Sequence, residues 1–289
     1  MGGERVRVYV ITRLRFLCLL IAAAVFFWYF SHPVLLVNTA RQVAMMLTGR
    51  IIPVYSVERP DRKLSITFDA TWGADQTSDL LRILRDNDVK ATFFLCGLWV
   101  EKYPEMVKAI AGEGHEIGNH SYTHPHMNSL SVEEIAHEIL YTHQLIKELT
   151  GQSSTVFRPP YGEYNNKLIE TARSCGYTTI IWDVDSLDWK NLSATEMVTR
   201  ITKRVQRGSI ILCHNAGKHT PQAISTLIPL LKKQGYEFTP VSQLLLKGET
   251  FTDHTGRQKQ KQIAPTIRDY PRQLNLTSGV KADGKWGVI

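Results

Sequence analysis

The chain has 289 residues, 43% hydrophobic and 21% charged, which excludes a wholly disordered protein and suits one sizeable globular domain with appendages. Its formal charge is +7, but Lys and Arg are scattered, with local clusters only near the start and around "RQKQKQ", so no nucleic-acid partner is expected. A basic exterior suits an anionic wall polymer or a membrane surface instead.

Near its start the chain carries "RVRVYVITRLR", with four arginines, in a basic segment placed at 1–15 on the cytoplasmic side. From Phe16 to Phe30 there is no charge, and with Leu14 and "PVLLV" the apolar stretch approaches the ~20 residues of a spanning helix. Residues 16–37 are therefore expected to form a transmembrane anchor that leaves the body outside the cytoplasm. A secretory signal peptide has the same order of regions, but Asn38 stands where "NTA" would need a small residue, so an uncleaved anchor is expected. A proline-containing linker, 38–62, follows.

From residue 63 to 246, short apolar runs alternate with amphipathic ones. "LSITFD", "ATFFLC", "HEIGNH", "TVFRPP", "YTTIIWDV", "SIILCH" and "YEFTPV" read as strands, being short and rich in β-branched and aromatic residues. "TSDLLRILRDN", "PEMVKAIAGEG", "SVEEIAHEILYTHQLIKEL", "NKLIETARSCG", "SATEMVTRITKRVQ" and "PQAISTLIPLLKKQG" carry helical spacing between cap signals. Such alternation predicts an α/β fold with a parallel sheet, either a barrel or an open doubly wound sheet. Beyond Lys247 periodicity is lost, and 247–289 is expected to be a polar tail. Cys18, Cys96, Cys175 and Cys213 lack the spacing of a zinc site and read mainly as small buried hydrophobes.

Function in parallel α/β folds collects at the carboxyl ends of strands. Here those ends carry Asp69, His120 with His124, Arg158, the group Asp183, Asp185 and Asp188, and His214. "HSYTH" spaces two imidazoles as two ligands of one metal require, while His126 and His143 nearby have no evident role. In "RPPYG" two prolines fix the backbone after Arg158, a permanent cation able to pair with a carboxylate.

With these motifs in view, the body resembles the polysaccharide deacetylase (NodB-homology) family, the family 4 carbohydrate esterases. The likeness covers roughly residues 63–246 and rests on "TFDA", "HSYTH", "RPPYG", "DSLDW" and "ILCHN" in order. Within the family the anchor and "TFDATWG" look most like the membrane-anchored sporulation-type deacetylases of spore-forming Gram-positive bacteria. The resemblance implies a distorted (β/α)7-type barrel and removal of acetyl groups from GlcNAc or MurNAc residues of peptidoglycan or a related wall glycan. It implies that Asp69 is the general base, paired with Arg158, and that His120 and His124 hold a divalent metal, commonly zinc. The Tyr161 backbone N–H would stabilise the oxyanion, Asp188 would orient the general acid His214, and Trp189 and Leu212 would wall the acetyl pocket.

One position departs from the pattern. Ala70 stands where the family's second aspartate ligates the metal, so a weakened metal site is expected. Water, an inward Asp69, Asp75 and His126 are the candidates to complete it. Two other readings follow: a glycan-binding or morphogenetic protein with a decayed site, and a hydrolase of non-glycan amides. No protein partner is inferable.

Overall fold

The computed structural model describes residues 49–261. The expected anchor lies outside the described residues, as does 262–289. Among the described residues no helix is long and apolar enough to cross a membrane.

After a short β1 (Ser56–Val57), the chain enters β2 (Lys63–Ala70), the longest strand. Parallel strands β3 (Thr92–Leu95), β4 (Glu116–Asn119), β5 (Val156–Phe157) and β6 (Thr178–Thr179) extend the sheet on one side of β2. On the other side lie β8 (Ile210–His214) and then β7 (Val184–Asp185), while β9 (Glu237–Phe238) pairs with the start of β2. The sheet's two edges, β6 and β7, are consecutive in the chain, separated only by 180–183. So short a connection forces the sheet to curl until its edges approach. The result is a curled parallel sheet of barrel type, open between β6 and β7.

The opening is filled rather than paired. Val54 bridges to Ile180, and the Asp183 carboxylate accepts from Ser209 Oγ at 2.8 Å and from the Ile210 N–H at 2.8 Å. Asp183 thus supports the start of β8, the end remote from His214, and is not on the functional rim with Asp185 and Asp188. Burial raises its pKa despite these hydrogen bonds.

Alternation along β2 divides its side chains. Leu64, Ile66, Phe68 and Ala70 enter the large apolar cluster shared with the helices. Ser65, Thr67 and Asp69, also buried, take the other parity and supply polar groups to the inside. Helices α1 (Thr77–Asp86), α2 (Gly97–Lys102) and α3 (Pro104–Gly112) contribute Leu80, Trp99 and Ile110 to the same cluster. Further on, α4 (Val132–Thr150), α5 (Asn166–Ser174), α6 (Ala194–Thr202), α7 (Thr220–Lys233) and α8 (Val241–Leu244) complete the layer. Ser131 with Glu134 and Ser193 with Glu196 form reciprocal capping boxes that start α4 and α6.

The tail expectation fails for its first part. β10 (Thr250–Thr252) and β11 (Arg257–Gln260) form an antiparallel hairpin, and β11 pairs in parallel with β1. The domain therefore takes in residues from both the expected linker and the expected tail. Asp253 closes the turn by accepting from Thr255 and Arg257, and Gly256, at φ +84°, sits where a Cβ would strike Tyr55. Polar side chains on both strands had concealed the pattern.

Candidate active site

Strand register places the two expected acid-base residues side by side. Asp69, near the end of β2, is the cross-strand partner of His214, the last residue of β8. Neighbouring strands are ~4.8 Å apart, so one small group can reach both side chains. His120 follows directly on β4 and Arg158 on β5, which brings all four to the same rim.

Arg158 is fully buried and its contacts fix Asp69. Its Nη1 donates to Asp69 Oδ1 at 2.6 Å and to Thr67 Oγ1 at 2.8 Å, its Nη2 donates to the Ile181 carbonyl at 3.0 Å, and the guanidinium lies 4.0 Å over the Phe94 ring. Burial opposes ionisation of Asp69, but the charge of Arg158, aided by the facing histidines and the hydrogen bond, wins and holds the carboxyl below its usual range. Asp69 is therefore a carboxylate at neutral pH.

Asp188 plays the corresponding part for His214. Its Oδ1 lies 2.7 Å from His214 Nδ1, while Oδ2 accepts from the His214 N–H at 2.7 Å and from Thr220 Oγ1 at 2.8 Å. Gly217 makes room, since a Cβ there would lie 2.1 Å from Thr220 Oγ1. Burial works against the imidazolium, yet the hydrogen bond and charge of Asp188 prevail and raise the pKa of His214. One carboxylate base and one histidine tuned toward its protonated form thus share the rim.

The histidine pair sits opposite. His120 Nδ1 is 2.7 Å from the Arg158 carbonyl, an acceptor only, so Nδ1 carries the proton and Nε2 a lone pair. That Nε2 faces Asp69 Oδ2 at 3.6 Å, and burial lowers the pKa of His120, which leaves two electron pairs opposed across a short gap. A cation between them relieves the opposition. The rings of His120 and His124 lie 5.0 Å apart, and His124 Nδ1 is buried without a hydrogen-bond partner among the described residues. Burial, with the neighbouring His120, brings the His124 pKa down to about 4, so both rings are in the neutral, ligating form. These nitrogens fit a divalent cation. The shell is incomplete, however: no group of three or more His, Cys, Asp or Glu among the described residues is arranged to hold one. Ala70 is fully buried in the large apolar cluster and does not line the cleft.

"HSYTH" is a strained loop rather than a helical turn. Ser121 and His124 adopt φ of +65° and +59°, and the buried Glu138 of α4 holds the loop by accepting from the Tyr122 and Thr123 N–H groups and from Thr123 Oγ1 at 2.7–2.8 Å. Tyr161, at φ +61°, is stretched likewise in "RPPYG"; its ring stacks on His126 at 4.4 Å, and its N–H donates to no acceptor among the described residues. That donor is left for a ligand.

These groups line a cleft of about 480 Å³ bounded by Asp69, His120, His124, Tyr161, Trp189, Leu212 and His214. All the expected site residues except the enclosed Arg158 and Asp188 reach it directly. Asp185, one of the acids expected at the strand ends, also lines it, as do Thr71, Trp72 and Trp182, which were missed in the sequence. For Trp72 the signal was available, since it lies three residues after Asp69; Glu138 has none beyond its place on an amphipathic helix. Asp75 is absent from the lining, and His126 pairs instead with Glu163 at 3.0 Å.

Residues 56–180 match the model of the polysaccharide deacetylase family. A peptidoglycan-N-acetylglucosamine deacetylase of Bacillus cereus is 35% identical over 196 residues, which cover 66% of this chain and 92% of that relative. This chain belongs to the polysaccharide deacetylase family. The Listeria monocytogenes peptidoglycan-N-acetylglucosamine deacetylase is 33% identical over 73% of the chain, and the match spans only 45% of its own length. An uncharacterized Bacillus subtilis relative, 33% identical, is matched over 60% of its length. Among solved structures, peptidoglycan deacetylase PdaC from Bacillus subtilis shares 35% identity at TM-score 0.59, covering 65% of this chain and 92% of that one. A CE4-family pseudoenzyme from Bacillus anthracis shares 35% identity at TM-score 0.65, covering 66% and 68% respectively. A mutant of that pseudoenzyme has restored enzymatic activity.

Proposed function

We propose that this chain hydrolyses the acetamide of N-acetylated amino sugars, GlcNAc or MurNAc, in peptidoglycan or a related cell-wall glycan. The observation that carries the reading is the pairing of Asp69 with Arg158 and of His214 with Asp188 on adjoining strands at one cleft. A pure binder needs neither pair. The names of the relatives from Bacillus and Listeria support the substrate class.

Amide hydrolysis needs an activated water, a place for the oxyanion and a proton for a poor leaving group. Ionised Asp69 takes the proton from water as it attacks the acetyl carbon. The free Tyr161 N–H donates to the oxyanion. Protonated His214, steadied by Asp188, delivers its proton to the departing amine as the C–N bond breaks. Leu212 and Trp189 wall the acetyl methyl. His120 and His124 would hold a divalent metal, zinc by analogy with the family, which when bound supplies Lewis-acid polarisation of the carbonyl.

The apolar segment Phe16–Phe30 and its preceding arginines support a single-pass membrane location, with the domain outside the cytoplasm. A role in sporulation rests on the likeness of the anchor and of "TFDATWG". The second reading, a glycan-binding protein of weakened catalysis, is favoured by Ala70 and by the similarity to a CE4-family pseudoenzyme.

Acetate release by the full chain from peptidoglycan, chitooligosaccharides and acetylated xylan, with Asp69→Asn as control, separates the readings. Release from an N-acetylated glycan that falls by roughly 10²-fold or more in the variant supports the enzyme. Binding of glycan without acetate release by the wild-type chain, with metal supplied, refutes it.

A further inference from the structure

Three residues beyond the base, Trp72 is 71% exposed, the most exposed of the large hydrophobic residues described. Tryptophan left in water loses much of the apolar burial that its size offers, and an exposed indole on a cleft marks a place where a ligand covers it. Here it borders the catalytic cleft, and its ring meets that of His124 edge-on at 6.1 Å.

The backbone behind this indole is held firmly. Gly73 turns the chain at φ +62°, and its carbonyl accepts from Trp99 Nε1 at 2.6 Å and from Asn215 Nδ2 at 3.1 Å. Trp99 and Asn215 are both buried, and the Asn215 N–H in turn donates to the Asp69 carbonyl at 3.2 Å. The segment from Asp69 to Gly73 is thereby fixed to the core while the indole at its tip stays in solvent. A rigid aromatic surface of this kind loses little conformational entropy when it is covered.

We propose that Trp72 is a stacking platform for a pyranose ring of the glycan next to the sugar being deacetylated. Resting on the proposed function, this assigns the wall of the cleft beside His124 to a neighbouring sugar. Pyranose rings present a flat face of C–H groups that packs on an indole, whereas the acetamide has its own place at Leu212 and Trp189. The chain therefore favours oligomers over short substrates, and the preference belongs to Trp72.

The test uses the full chain carrying Asp69→Asn, so that sugars bind without being consumed. Calorimetry with N-acetylglucosamine and its oligomers compares a hexasaccharide with the monosaccharide, which has no neighbouring ring, before and after Trp72→Ala and Trp72→Tyr. Loss of the ring is expected to shrink the hexasaccharide's advantage by about tenfold, and tyrosine to restore most of it. The proposal is overturned by an unchanged advantage or by failure of the parent to bind the hexasaccharide. Because the readout is binding, acetate release separately decides the catalytic reading.

Discussion

Replacing Asp188 with Asn tests the assignment of His214 as acid. The carboxylate offers Oδ1 to His214 Nδ1 at 2.7 Å and Oδ2 to two donors, the His214 N–H and Thr220 Oγ1. An amide has only one acceptor oxygen. If that oxygen serves the two donors, the amide NH2 faces Nδ1, which must then accept; the imidazolium loses both a negative neighbour and its acceptor. A hydrogen bond to a charged group contributes about 1.5–3 kcal/mol, which at 1.36 kcal/mol per unit is a fall of about one to two pKa units. The acid must be protonated, so the alkaline limb of kcat/KM should move down by about that amount. The acidic limb belongs to Asp69 and stays. Acetate release measured from acid to alkaline pH, with circular dichroism to verify folding, gives both limbs. An alkaline limb that does not move in a folded variant would refute the assignment. Stability carries the same signature: the raised pKa of His214 stabilises the fold fully below the unfolded value of about 6.5, and this is lost as pH rises through the folded value. The stability gap between wild type and Asp188→Asn should accordingly narrow with rising pH, as thermal melts will show.

Arg158→Leu leaves Asp69 buried without its cation and is expected to cost about 3–5 kcal/mol in denaturant unfolding. Since the depressed pKa of Asp69 stabilises the fold above about pH 3.9 and the contribution is lost as pH falls through its folded value, the deficit should shrink in acid; a constant deficit contradicts the pairing. His120→Ala should lower the bound divalent metal per chain measured by elemental analysis. A ratio unchanged from wild type removes the histidines from the site.

Much of the chemistry is local and was therefore legible. Asp69, Arg158 and His214 each lie at or next to the end of a strand whose β-branched and aromatic residues reveal it, and in a parallel fold strand ends share a rim. The caps and apolar spacing of α4 and α6 likewise mark their starts without reference to any neighbour. What strand spacing leaves open is which end an acid occupies: Asp183 and Asp185 are two residues apart, yet one supports the start of β8 and the other lines the cleft. The hairpin at 250–260 needed β1 as a partner, because its strands are polar and carry no burial pattern of their own. Tertiary structure alone decided the opposed electron pairs of Asp69 and His120, the grip of Glu138 on the histidine loop and the exposure of Trp72. Sequence fixes which groups a strand end carries, because periodicity is a property of the chain; distance, burial and the pKa shifts they cause exist only between chain segments that folding brings together.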